Sequence, residues 1–252
     1  MLETRDLTIR FGGHVAVDRV TCAFAPGSLT AIVGPNGAGK TTYFNLISGQ
    51  LRASAGSVHL NGEDITVLPV SSRTHRGLGR AFQLTQLFPH LTVLENVRLG
   101  VQSRRHEGLN LWSVWLDHRD TLQAARELLE RVRLADRAGE AAASLPHGDQ
   151  RKLEVAMLMA LEPSVYMFDE PTAGMSVDDA PVVLDLIRGL KGQRDKTVLL
   201  VEHKMDVVRE LADRIIVLHN GQLVADGEPA AVIASPVVQQ AYLGMAPEEA
   251  AA

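Results

Sequence analysis

The chain holds one cysteine, Cys22, among 252 residues, so no disulfide forms within it and no metal site can be built from cysteines. It also lacks a long apolar run. The longest, 155–161, falls far short of the roughly 18 residues a membrane-crossing helix needs. Aromatic residues are scarce at 4%, while 46% hydrophobic and 22% charged residues match an ordinary globular chain and exclude long disorder or a low-complexity fibre. An excess of basic charge is missing too: the net charge of −5 leaves no electrostatic footprint for nucleic acid. The first residues, Met1-Leu2-Glu3-Thr4-Arg5-Asp6, are acidic and polar where a secretory leader is basic and then apolar. The expectation is a chain that stays in the cytoplasm. At about 150 residues per domain, its length suits one large domain or a core with a subdomain.

What is present points to an α/β fold. Four short apolar runs, 30–33, 165–168, 198–201 and 215–218, do not alternate with polar residues, so they read as strands buried on both faces of a mostly parallel sheet. Helical patterns separate them, at 40–48, 121–133, 150–161, 180–190 and 205–212, as a βα alternation requires. The N-terminal part reads differently. Runs 7–11, 20–24 and 58–60, punctuated by Gly12-Gly13, Pro26-Gly27 and Asn61-Gly62, predict short antiparallel strands joined by tight turns. Residues 94–145 carry helix formers and both tryptophans, and predict a mostly helical subdomain inserted into one domain spanning 1–252. Trp112 and Trp115 share one helical face, either as packing or as an exposed anchor for a partner.

Chemistry enters at Gly34-Pro35-Asn36-Gly37-Ala38-Gly39-Lys40-Thr41-Thr42, a phosphate-binding loop pattern lying directly between a predicted strand and a predicted helix. Glycines let the backbone N–H groups of Asn36, Gly37, Ala38 and Gly39 turn toward a phosphate, and the helix N-terminus adds a favourable dipole. Lys40 reaches the outer phosphates, and the Thr41 hydroxyl can ligate Mg²⁺. Later, Val165-Tyr166-Met167-Phe168-Asp169-Glu170 is a buried-strand pattern that ends in adjacent carboxylates. Asp169 suits a Mg²⁺ ligand acting through water, and Glu170 suits a group that polarises an attacking water.

Between these halves stands Leu145-Pro146-His147-Gly148-Asp149-Gln150, and with it the sequence resembles the ATP-binding cassette (ABC) ATPases over nearly its whole length. The resemblance implies the fold of that family, binding of ATP and Mg²⁺, and hydrolysis coupled to transport. It implies that Pro146, His147, Gly148 and Asp149 form a signature loop facing the ATP of a partner subunit, so that catalysis needs a dimer. Gln83, after Arg80-Ala81-Phe82, resembles the family glutamine that links metal to permease contact. His203, in Val201-Glu202-His203-Lys204, resembles the switch histidine, and Phe11 resembles the aromatic that stacks on adenine. A core phenylalanine is the alternative for Phe11. Two stretches depart from the family pattern. Pro146 and His147 replace the Ser-Gly of Leu-Ser-Gly-Gly-Gln and Asp149 its glutamine, which removes a hydroxyl donor whose loss costs on the order of a hundredfold in rate. Ala173-Gly174-Met175-Ser176 replaces the usual Ser-Ala-Leu-Asp.

Finer matches are similar to the branched-chain amino acid importer ATPases: Phe11-Gly12-Gly13 with Ala16-Val17-Asp18, Gly79-Arg80-Ala81-Phe82-Gln83-Leu84 with Leu91-Thr92-Val93-Leu94-Glu95-Asn96-Val97, and Ala241-Tyr242-Leu243-Gly244. That resemblance implies a heterodimer with a second ABC ATPase, a homodimer being the alternative. It further implies two transmembrane permease subunits, an extracytoplasmic solute-binding protein acting indirectly, and a peripheral place on the cytoplasmic face of the inner membrane. A permease helix is expected to dock near 83–89, where Leu84, Leu87 and Phe88 are apolar, plain packing of these side chains being the alternative. Arg73, His75, Arg76 and Arg80 read as a solvated face or a contact to anionic lipid. The rival functions are a lipid or lipopolysaccharide exporter ATPase of the same fold, a soluble ABC ATPase outside transport, and a non-catalytic nucleotide-binding module.

Overall fold

The computed structural model describes residues 1–81, 87–105 and 119–243. The chain forms two compact units, one from Met1–Leu78, Ser164–Glu170 and the residues from Lys191 onward, the other from Gly79–Pro163 and Pro171–Leu190.

The first unit holds an antiparallel sheet, β1 (Leu2–Phe11), β2 (His14–Phe24), β4 (Ala55–Leu60) and β5 (Glu63–Asp64), in the order β2-β1-β4-β5. Its strands alternate buried and exposed residues, most clearly along the second half of β2, as a sheet with one wet face does. The second sheet runs β10 (Gln222–Gly227), β9 (Arg214–His219), β3 (Ser28–Val33), β8 (Thr197–Val201), β7 (Val165–Asp169) and β6 (Leu78–Ala81). β3, β7, β8 and β9 pair in parallel, and every residue of β7 and β8 is buried. Helix α1 (Lys40–Ser48) follows β3. Its Tyr43, Phe44 and Ile47 pack in one cluster with Leu2, Phe24 and Val58 of the first sheet and Ile32, Met167, Leu199 and Ile216 of the second. Each such large side chain contributes about 2–3 kcal/mol on burial, which fixes α1 and the loop ahead of it.

Arg73 corrects an expectation. It lies on the short helix α2 (Val70–His75), is 2% exposed, and donates to the carbonyls of Leu46, Ile47, Thr66 and Leu68. It satisfies the orphan carbonyls at the C-terminal end of α1, so neither solvent nor lipid meets it. Burial pulls its pKa down to about 10.

In the second unit, α3 (Val93–Arg105), α4 (Arg119–Arg131) and α5 (His147–Ala160) pack on one another. Thr92 and Glu95 form a capping box at the start of α3, with Glu95 N–H on Thr92 Oγ1 at 3.1 Å and Thr92 N–H on Glu95 Oε2 at 3.2 Å. Chain 171–179 then leads into α6 (Ala180–Lys191). The remaining helices, α7 (Met205–Leu211), α8 (Pro229–Ile233) and α9 (Pro236–Leu243), follow β8 and β10. Among the described residues no helix is long and apolar enough to cross a membrane.

Candidate functional site

The loop between β3 and α1 is shaped by glycine where nothing else fits. Gly39 has φ +96, and a Cβ there would stand 2.5 Å from the Ala16 carbonyl oxygen; at Gly34 it would stand 2.1 Å from that of Leu218. With those two positions fixed, the backbone of Asn36, Gly37, Ala38 and Gly39 leads into α1, whose first residues are Lys40, Thr41 and Thr42. A cavity of about 400 Å³ opens here, lined by these residues and by Phe11, Lys40, Glu170 and His203.

Lys40 donates to the carbonyls of Gly34 at 2.7 Å and Pro35 at 2.9 Å. Burial pushes its ammonium below the ordinary lysine range, and the charges of Glu170 and Asp169 pull it partly back. Such a cation is short of counter-charge and favours an anion beside it. Asp169 ends β7 and is 2% exposed. Glu170, the next residue, sits in the left-handed region at φ +49, a conformation that costs about 1–3 kcal/mol for a non-glycine residue. Two contacts hold it there: its N–H donates to the Val201 carbonyl at 2.9 Å, and its Oε1 lies 2.5 Å from His203 Nε2. A carboxylate at that distance requires the proton on Nε2, which then donates. His203 is held in turn by its own N–H, which donates to the buried Glu202 carboxylate at 2.7 Å.

Phe11 is half exposed, at 50%, on the cavity wall, so it is no core phenylalanine. His14 and Ala16 also line this cavity. The sequence reading missed them, although the Gly12-Gly13 turn already places the start of β2 beside Phe11, and β1 pairs Phe11 with His14. Gln83 lies outside the described residues, as do Leu84, Trp112 and Trp115. Phe88, from the expected docking segment, lines an apolar cavity of about 320 Å³ with Leu99, Met157 and Leu158 in the second unit.

The signature residues belong to the second unit, and His147, Gly148 and Asp149 are helix rather than loop. The sequence predicts a helix from 150, whereas α5 begins at His147. Pro146 takes the N-cap position with φ −56 and ψ 155, a geometry its ring presets and in which its missing N–H costs nothing. His147, Gly148 and Asp149 therefore present the unpaired N–H groups of a first helical turn.

A phosphate fits the first of these regions, where left-handed glycines, a helix N-terminus and a buried lysine converge on a cavity. For a magnesium ion the donors are of the right kind, since Mg²⁺ takes hard oxygens and keeps part of its shell from phosphate and water. Thr41 offers a hydroxyl and Asp169 a carboxylate. Among the described residues no group of three or more His, Cys, Asp or Glu is placed to hold a metal ion.

Comparison with known proteins follows the same line. The family described as "ABC transporter" matches residues 17–173. The high-affinity branched-chain amino acid transport ATP-binding protein BraF of Pseudomonas aeruginosa is 37% identical over 98% of this chain and 98% of its own length. LivG of Escherichia coli K12, with the same description, is 35% identical over 98% of both chains. Among solved structures, a nucleotide-free ATP-binding cassette from an ABC transporter superposes with a TM-score of 0.81 at 28% identity, covering 97% of this chain and 99% of that one. A dimeric cassette in a post-hydrolysis state, bound to ADP and phosphate, superposes with a TM-score of 0.78 at 25% identity over 91% and 99%.

Proposed function

The chain belongs to the ABC transporter family, and from that premise we propose that it is the ATP-hydrolysing subunit of an importer for branched-chain or related amino acids. The observation that carries the catalytic part is the Glu170–His203 contact of 2.5 Å on the wall of the cavity that also holds Lys40 and Phe11. The loop N–H groups and Lys40 bind the phosphates of ATP, and Phe11 offers its exposed face to the adenine ring. Glu170 orients a water in line with the terminal phosphorus and takes up its proton as the new P–O bond forms and the bond to the ADP oxygen breaks. His203 keeps the carboxylate in place and reaches the same phosphate. Thr41, Asp169 and Gln83 would hold Mg²⁺, which would supply positive charge beside the phosphate oxygens.

Pro146, His147, Gly148 and Asp149 face the ATP of a second ABC ATPase subunit, so closure of the pair and hydrolysis alternate. That cycle does work only if ATP binds the closed pair more tightly than the open one. Closure drives two transmembrane permease subunits, one docking a helix at the apolar cavity beside Phe88, with an extracytoplasmic binding protein delivering solute. The chain then sits peripherally on the cytoplasmic face of the inner membrane. The 37% and 35% identity to BraF and LivG, with the sequence matches above, supports this substrate class.

The test is phosphate release and oligomeric mass with Mg²⁺ and ATP, for wild type and Glu170→Gln, alone and in the complex pulled down through a tag on this chain. Wild type turns over; Glu170→Gln loses about a thousandfold in rate, the scale of a removed general base, yet binds ATP and accumulates as a dimer. Wild type that binds ATP and never hydrolyses it, even in the complex, would overturn the reading in favour of a non-catalytic module. Failure of cells lacking the chain to lose leucine, isoleucine or valine uptake would overturn the substrate class alone.

A further inference from the structure

One ammonium joins two segments of the second unit, the signature turn and the stretch that follows Glu170. Lys152 Nζ lies 2.7 Å from Asp149 Oδ1 and 2.5 Å from Asp179 Oδ1, with only 7% of its side chain exposed. Asp149 is in the first turn of α5, the signature turn. Asp179 closes the stretch 171–179 that begins directly after Glu170.

A buried ammonium is costly unless it is paired. Burial would lower the pKa of Lys152, but the hydrogen bonds and charges of the two carboxylates win and hold it above the ordinary lysine value. Asp179 is itself locked. Its Oδ2 accepts from Ser176 Oγ at 2.7 Å, and Ser176 Oγ in turn accepts the Asp179 N–H at 3.1 Å. Asp179 therefore cannot turn away from Lys152 without breaking its own turn. Asp149 has a second cation, Arg137 Nη1, 3.4 Å from its Oδ2. A second contact runs in parallel: a Cβ on Gly174, at φ +71, would stand 3.1 Å from His147 Cε1, so the imidazole occupies the space that this glycine leaves. Ala173-Gly174-Met175-Ser176 carries no charged group, and the charged link from this stretch to the signature turn runs through Asp179 and Lys152.

We propose that Lys152 is a positioning residue that locks the signature turn to the stretch following Glu170, so that engagement of the partner's ATP at 146–149 sets the chain carrying this subunit's own catalytic carboxylate. The proposal rests on the reading of Glu170 and the signature turn given above. The two nucleotide sites are then coupled through this bridge, and coupling is a difference in free energy that acts both ways.

The experiment measures phosphate release against ATP concentration in the tagged complex, for wild type, Lys152→Met, Lys152→Arg and Asp179→Asn. Wild type shows a Hill coefficient above 1. In Lys152→Met it falls to about 1 and kcat drops about tenfold, within the usual range of coupling, while ATP affinity of the isolated chain changes by less than about twofold. Lys152→Arg, which keeps a cation between the carboxylates, restores the Hill coefficient. Asp179→Asn reproduces Lys152→Met, and the double variant is no worse than either, as partners in one interaction behave. A lower kcat with the wild-type Hill coefficient would mean a structural role and overturn the proposal, as would a wild-type coefficient of about 1. If Lys152→Met fails to fold, Lys152→Arg and Asp179→Asn decide it by the same readout. Wild type that does not turn over in the complex overturns the underlying reading and this proposal together.

Discussion

The phosphate cavity and the signature turn each present the N-terminal end of a helix, and they are built from different material. Neither α1 nor α5 has a side-chain cap. Ahead of α1 stands Gly39 at φ +96, in a loop whose shape is set at Gly34 and Gly39, where neighbouring backbone leaves no room for a Cβ. Ahead of α5 stands Pro146 in extended conformation, and the turn behind it is held by ion pairs among Asp149, Lys152, Arg137 and Asp179. Backbone geometry is either correct or lost, whereas a network of side chains can be tuned. The first region should therefore respond to substitution by losing ligand, and the second by changing rate and coupling with binding intact.

The largest effect falls on Lys40. Its ammonium is the one side-chain charge that the phosphate loop brings to the cavity, and a charged hydrogen bond is worth about 1.5–3 kcal/mol. With more than one phosphate oxygen in reach, Lys40→Ala lowers ATP affinity by on the order of a hundredfold, read by titration with a fluorescent nucleotide. Lys152→Met in the other region should leave the same titration nearly unmoved. A loss under about threefold for Lys40→Ala, or an equal loss for both, would break the contrast.

How far each region could be read beforehand follows from the same difference. The strands of the parallel sheet were legible at 165–168 and 198–201, because residues buried on both faces leave uninterrupted apolar runs. In the antiparallel sheet only the apolar ends showed: β1 and β2 extend back to Leu2 and His14, through polar residues that occupy the wet face. Helix 40–48 matched α1 residue for residue, since a glycine stands at each end. Helix α4 stops at Arg131, short of the 133 that periodicity suggested, because Arg133 takes a left-handed φ of +58. In the cavity, Lys40, Glu170 and His203 were each legible from motif order, but the strain at Glu170 and its contact to His203 were not, being products of the register between β7 and β8. The Lys152 bridge was illegible for another reason. Asp149 and Asp179 are 30 residues apart, and in a sequence rich in exposed charge nothing marks that pair as sharing a buried cation.

A smaller effect is expected at Pro146. Pro146→Ser returns a hydroxyl to the N-cap, where it satisfies one first-turn N–H and gains about 1 kcal/mol. The loss of proline frees the unfolded chain and takes back about 0.4–1 kcal/mol. Stability should thus shift by less than about 1 kcal/mol, while phosphate release from the complex rises about tenfold, part of what a positioned donor is worth. An unchanged rate would mean that the N–H groups of the first turn of α5 already supply the donor. The signature turn would then resemble the phosphate loop more closely than its side chains suggest.

The smallest effect separates the two regions by sign. Lys152 has its pKa raised above the ordinary 10.5, against the pull of burial, by Asp149 and Asp179; it stabilises the fold fully below pH 10.5 and loses that contribution as pH rises through the folded value. Lys40 has its pKa lowered from 10.5 by burial, so the unfolded chain binds the extra proton and stability rises with pH between the folded value and 10.5. Asp179, held below 3.8 by Lys152 and Ser176, contributes above pH 3.8 and loses its contribution as pH falls through its folded value. With 34% of the Asp179 side chain exposed, solvent screening limits the bridge to about 1 kcal/mol or less. Urea unfolding of wild type, Asp179→Asn and Lys40→Met from pH 3 to pH 10 reads the last two. The gap between wild type and Asp179→Asn should be flat from about pH 5 to 9 and close in acid, while wild type gains on Lys40→Met as pH climbs toward 10. If the acid gap widens instead, Asp179 is destabilised by its surroundings, and the signature turn is held by the His147–Gly174 contact rather than by charge.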